Sequence, residues 1–179
     1  MNTDNPPTPT IASLPFRPLG GQPPFDAQNL ERFLSETRIA TMSYVCTSGR
    51  PNQTPLWYDY TNGEMKFVAT TGSAKHRALQ RDPRVCVAVQ DDRPPYRAVI
   101  IDGTVELIDL GGAGDLSRRM AIKYFGEAGA IEYDKMTQSH REASGETLLR
   151  LLPTEVKGFD NTRLASQPLL HALGERSTP

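Results

Sequence analysis

Between Thr70 and Arg81 the chain reads TTGSAKHRALQR, and the side chains are those that hold an anion. Thr70, Thr71 and Ser73 supply hydroxyl donors, Gly72 allows close backbone approach, and Lys75 adds a full positive charge. The segment SAKHRALQRD predicts a short helix that starts at this cluster. The first amides of a helix have no intrahelical partner, and its dipole places partial positive charge there, so a phosphate binds readily at such an entry. His76, Arg77 and Arg81 keep the neighbourhood basic. A plainer reading stands beside this one: Ser73 only caps a surface helix and the basic residues form a solvated face. Spacing by itself does not choose between them.

The elements that must position this cluster are mostly strands. Ala40, Met42, Tyr44 and Cys46 alternate along one face of a strand, and Ser48-Gly49-Arg50-Pro51 turns the chain. A second strand is expected from Gln53 to Tyr60. Thr61-Asn62-Gly63-Glu64 carries the Asn-Gly signal of a tight hairpin, returning the chain through Met65, Phe67 and Ala69 to the helix entry. Asp82-Pro83 ends the helix, and VCVAVQ resumes a strand with little polarity on either face, as in the middle of a sheet. YRAVIIDGTVELID reads as a long strand with Gly103 marking a bulge or sharp bend.

Upstream, Asp26 is placed to cap a helix carrying Leu30, Phe33 and Leu34 at helical spacing. Downstream, helices are expected around Asp115 to Phe125 and near Glu132 to His140; ETLLRLLP returns to strand and TEVKGFD adds one more. Six to seven antiparallel strands with few flanking helices favour a small, mainly β barrel over a doubly wound sheet. The expected organisation is a flexible, extended Pro-rich arm over 1–24, one domain over 25–164 and a loose tail over 165–179.

Composition narrows the function classes. With 20 basic and 21 acidic residues the net charge is −1, which gives no reason to expect a nucleic acid or a charged membrane as partner. No apolar run approaches the length of a membrane span, and MNTDNPPTPT lacks the features of a signal peptide, so a cytoplasmic protein is expected. Cys46 and Cys86 sit in alternating apolar segments and read as free thiols. His76, His140 and His171 are far apart and neither cysteine belongs to a CxxC pair, so no metal site is expected. The run Gly111-Gly112-Ala113-Gly114-Asp115-Leu116-Ser117 invites a dinucleotide-binding reading, but its third glycine position is Ser117 and no repeated βα units surround it; a flexible connection is preferred. Tyr58 and Tyr96 are conceivable proton donors, though a strand tyrosine ordinarily packs its ring, and Trp57 fits either ring stacking or core packing.

Taken together, RIATMSYVCTSGRPNQTPLWYDY, the Phe67 to Asp82 stretch with Thr71, Ser73 and Lys75, then DPRVCVAV and YRAVIIDGTVEL, resemble the split β-barrel flavoproteins related to pyridoxamine phosphate oxidase over residues 28 to 160. The resemblance implies that Lys75 and the hydroxyl residues before it, Thr70, Thr71 and Ser73 with Ala74, hold a cofactor phosphate, and that Gln53, Thr54, Pro55 and Leu56 lie along the ring. It also implies a homodimer with the cofactor groove between subunits.

Departures are equally informative. The oxidase itself has arginine, lysine and arginine where this chain has Thr54, Asp59 and Ala74, and its C-terminal arginine-rich substrate motif has no counterpart in GFDNTRLASQPLL. The combination TPLWYDY, TTGSAKHRALQRDPRV and LLRLLPTEVKGFD is more similar to the branch using the deazaflavin coenzyme F-420, with FMN as the alternative cofactor. Arg50, Arg77 and Arg97 are then candidates to meet the acidic tail of the deazaflavin. The activity implied is a reductase passing hydride between that cofactor and a small unsaturated organic substrate, where positioning alone contributes ~7 kcal/mol or more in model systems. A non-enzymatic carrier or sensor of flavin on the same barrel is the other expectation.

Overall fold

The computed structural model describes residues 9–21, 23–108 and 114–163. Its centre is a sheet built from β2 (Ala40–Val45), β3 (Pro51–Leu56), β4 (Asp59–Thr61), β5 (Glu64–Thr70), β6 (Arg84–Gln90), β7 (Arg97–Ile108) and β8 (Glu146–Asp160). The spatial order is β3-β2-β6-β7-β8-β5-β4, every adjacent pair antiparallel, and a short β1 (Phe16–Pro18) adds to β8 in parallel. The two ends of this order, β3 and β4, are joined only through Trp57 and Tyr58, so the curled sheet is a barrel with a split. This is the mainly β fold expected from the alternation.

Period-2 patterning sets which face is inside. Met42, Val87 and Ile101 are mutual register partners and fully buried, whereas Thr41, Ala88 and Ile100 form the adjoining outer row. Phe67 and Tyr58, both with no exposed surface, fill the interior with Met65 and Leu149. Each such side chain contributes ~1.5 to 3 kcal/mol by leaving water. Helix α1 (Ala27–Ser35) is started by Asp26, whose carboxylate accepts the Asn29 N–H at 2.8 Å, and it closes one end of the barrel with Leu30, Phe33 and Leu34. The Asn62-Gly63 turn between β4 and β5 has φ of 56° and 76°, the left-handed pair a two-residue hairpin needs.

Three details differ from the expectations. The second strand is not continuous from Gln53 to Tyr60: it stops at Leu56, because Tyr58 turns its ring into the core, and resumes at Asp59. ETLLRLLP and TEVKGFD are one 15-residue strand, β8. Pro153 survives in its middle because the register slips there: Gly103 faces Pro153 while Asp102 faces Glu155, leaving Thr154 as the extra residue of a bulge. The bend expected at Gly103 is therefore present, and its cause is close approach, since a Cβ there would lie 2.3 Å from the Leu152 carbonyl oxygen. Of the arm, the described residues pack against the barrel: Ile11 is 1% exposed, its N–H reaches the Gly63 carbonyl at 3.1 Å, and β1 pairs with Val156 to Gly158. The two downstream helices are present as expected: the helical span α3 (Gly114–Ser144) consists of two segments that meet at Gly126, where φ of 71° and ψ of 174° break the helix. The connection over 109–113 and the tail from 164 lie outside the described residues.

Among the described residues, no helix is long and apolar enough to cross a membrane. Cys46 and Cys86 are free and partly buried, and burial, followed by contact with Asp102, pushes the Cys86 thiol up to about 11.

Candidate functional site

The split carries the site. Helix α2 (Ala74–Arg81) follows β5 directly and begins where Ser73 accepts the His76 N–H at 3.2 Å. Its inward face is made by Ala78 and Leu79, at 1% and 0% exposure. Lys75, three and four residues earlier, shares that face and is half-buried. No carboxylate meets its ammonium among the described residues, and burial alone holds it below the ordinary lysine value. The amides of Ala74 and Lys75 are the orphaned donors of the first turn. A half-desolvated cation beside free N–H groups fits a phosphate or similar anion.

Several neighbours serve structure instead. His76 is buried and its Nδ1 accepts the Gly72 N–H at 3.2 Å, so it stabilises the helix entry from within and adds nothing to a basic surface. Arg77 donates to the Gly72 carbonyl and Arg81 to the Cys46 carbonyl at 2.7 Å. Thr71 is tied at both ends: its N–H donates to the Gly145 carbonyl at 3.1 Å and its hydroxyl meets that of Thr147 at 2.9 Å. Arg97 is committed to Asp91 at 2.6 Å and, with Arg38, covers the Phe33 ring. Arg50 is exposed in the turn before β3.

Next to this helix entry is a cavity of about 510 Å³ between β3, β5 and α3. Of the residues singled out in the sequence, the structure brings Pro55, Leu56 and Thr70 together on its wall. Gln53 is exposed on the outer face of β3 and Thr54 turns toward the Met42 side; neither lines the cavity. Thr71 and Ser73, on the connection that continues from Thr70, and Ala74 and Lys75, the first residues of α2, are not among its lining residues. Tyr58 belongs to the core, its hydroxyl 3.4 Å from the Glu36 carbonyl and its ionisation disfavoured mainly by burial, so it is no proton donor to this cavity. Tyr96 is 51% exposed and does not line it.

The remaining wall was not legible in the sequence. Trp57 lines the cavity, its ring stacked on Tyr124 with centroids 4.9 Å apart and 13° between planes, and Tyr133 meets it at 5.1 Å. Burial raises the Tyr133 hydroxyl above its ordinary range. Ser117 and Met120 come from α3, and Glu146, the first residue of β8, sits opposite Thr70. Only the Asn-Gly turn and the strand alternation hinted at these placements; nothing local links Thr70 to Glu146.

Asp59 stands where a lysine is found in the oxidase. It is 8% exposed, 3.2 Å from the Thr61 hydroxyl and 3.7 Å from Arg119, so it has no cation to offer a ligand. The cations that face this end of the sheet without a partner among the described residues thus reduce to Lys75, at the entry of α2.

A curled antiparallel sheet, split beside a capped helix that presents a lysine with no partner among the described residues, defines a split β-barrel protein. The family model described as pyridoxamine 5'-phosphate oxidase matches residues 27–160, and the chain belongs to that family. Solved structures agree on the fold. A conserved hypothetical protein of Mycobacterium tuberculosis is 20% identical, with 82% of this chain and 91% of that chain covered and a TM-score of 0.64. An F-420 reductase is 22% identical over 70% and 94% of the two chains, with a TM-score of 0.54. The haem storage protein HutZ of Vibrio cholerae is 15% identical over 72% and 91%, with a TM-score of 0.55. No curated protein sequence matches the chain.

Proposed function

We propose that this protein is a reductase that binds the deazaflavin coenzyme F-420, with FMN as the alternative occupant, and passes hydride to a small unsaturated organic substrate. The observation that carries the reading is Lys75: a half-buried cation without a partner among the described residues, at a helix entry that adjoins the cavity. Lys75 and the first amides of α2 would hold the phosphate, and Pro55, Leu56 and Thr70 would lie along the ring. When bound, the cofactor supplies the hydride. The chain contributes binding, orientation and exclusion of water: Trp57, Met120 and Val68 make that wall apolar. Vitamin B6 oxidation is disfavoured by Thr54, Asp59 and Ala74, none of which offers a cation.

The same reading includes a cytoplasmic homodimer with the groove completed by the partner. The outer row Thr41, Ala88 and Ile100, small or apolar side chains in register across three strands, supports a subunit contact on that side of the barrel. The test is titration of the purified protein with both cofactors. Submillimolar binding of either is expected, and binding of neither at that level overturns the proposal. A bound, reduced cofactor that no unsaturated acceptor reoxidises would instead make the protein a carrier.

A further inference from the structure

The cavity holds one carboxylate among its described lining residues, and its setting is unusual for a site that adjoins an anion-binding helix. Glu146 is put there by the chain reversal after α3. Gly145, in the left-handed region at φ 71°, donates its N–H to Arg141 at 2.7 Å and its carbonyl accepts from Thr71, which delivers Glu146 opposite Thr70. One Glu146 oxygen accepts the Ser117 hydroxyl at 2.8 Å, and Ser117 is 6% exposed. The other has no hydrogen bond among the described residues. The α3 arginines are drawn elsewhere: Arg141 and Arg118 reach Asp134 at 2.9 and 3.8 Å, and Glu146 forms no ion pair among the described residues. The walls beside it are flat, with Trp57 fixed by its stack on Tyr124 and Tyr133 inclined to it at 50°. A half-buried carboxylate satisfied by one hydroxyl favours an N–H donor or cation, and aromatic faces attract a flat cation.

From this juxtaposition we propose that the Glu146 end of the cavity takes a planar cationic nitrogen group, of the amidinium or protonated amino-heteroaromatic class, with the carboxylate as ion partner and Trp57 and Tyr133 as walls. This names the substrate class of the site and rests on the reading of the cavity as the meeting place of cofactor and substrate. Anion and cation recognition are then divided between the entry of α2 and the start of β8.

Trp57 is the single tryptophan of the chain, so its fluorescence reports occupancy of this cavity without any activity assay. Benzamidine and benzamide have nearly the same shape and differ in charge. Titrated into the full-length protein without added cofactor, benzamidine is expected to quench Trp57 with a Kd at least ~10-fold below that of benzamide, as a charge-assisted contact requires. In Glu146→Gln, which keeps an acceptor for Ser117, that preference falls to within ~2-fold. In the wild type it shrinks as salt is added, a measurement needing no variant. Equal quenching by the two probes in the wild type, or a preference that survives in Glu146→Gln, overturns the proposal. Parallel titration with coenzyme F-420 and FMN separates the two readings. Cofactor binding without the amidine preference sinks only this inference, and the preference without cofactor binding leaves a cation site and sinks the reductase.

Discussion

Replacing Lys75 by methionine separates ligand binding from folding, because the two respond with opposite sign. Methionine keeps an unbranched apolar stem against the Ala78 and Leu79 face and removes only the charge. In the complex, the ammonium makes a charge-assisted contact with the phosphate worth ~1 to 3 kcal/mol, so the Kd for either cofactor rises ~5- to 150-fold. The upper half of that range is expected here, since the group is half-desolvated and the cations common in the oxidase are absent at Thr54, Asp59 and Ala74. In the ligand-free protein, burial of the charge is uncompensated, so Lys75→Met is as stable as the wild type or more so. Calorimetric titration gives the first quantity, and thermal melts with and without cofactor give the second. A Kd change smaller than ~2-fold for both cofactors would rule out Lys75 as the anion ligand. A fall in ligand-free stability with unchanged affinity would assign the residue to structure alone.

The same lysine predicts a pH dependence. Its folded-state value lies below the ordinary 10.5, so the unfolded chain binds the proton more tightly and the ligand-free stability rises with pH from the folded value up to about 10.5. Urea titrations in that window should show the rise in the wild type and its loss in Lys75→Met, while anion affinity falls over the same range; a flat difference between the two proteins refutes the argument. Gly103→Ala should cost ~1 to 3 kcal/mol in urea unfolding, because its Cβ would sit 2.3 Å from the Leu152 carbonyl and push β7 from β8 at the bulge. A loss below ~0.5 kcal/mol would show that the strands yield there freely.

Much of the local architecture was legible because it rests on short-range rules. Asp26 and Ser73 cap the helices they were expected to cap, Asn62-Gly63 makes the hairpin, and Gly103 marks the bend. The misreadings share one cause: each depended on a partner far away in the chain. Tyr58 interrupts a strand because the barrel interior accepts its ring, and Pro153 stays inside a strand because Gly103 faces it across the bulge. Ile11 leaves the Pro-rich arm because Gly63 offers a carbonyl to its N–H.

For the site the division falls in the same place. Thr70, Ser73 and Lys75 are neighbours along six residues, so composition and helix-end electrostatics were enough to make this point of the chain a candidate anion site, beside the plainer reading of a capped surface helix. That Lys75 meets no counter-ion among the described residues, that His76 turns inward, and that Glu146 and Trp57 join Thr70 around one cavity were decided by tertiary structure. Antiparallel pairing of β5 with β8 brings together residues 76 positions apart, and no local pattern encodes which strand will supply the partner. Helix ends carry their chemistry with them; cavities exist only once the sheet has curled.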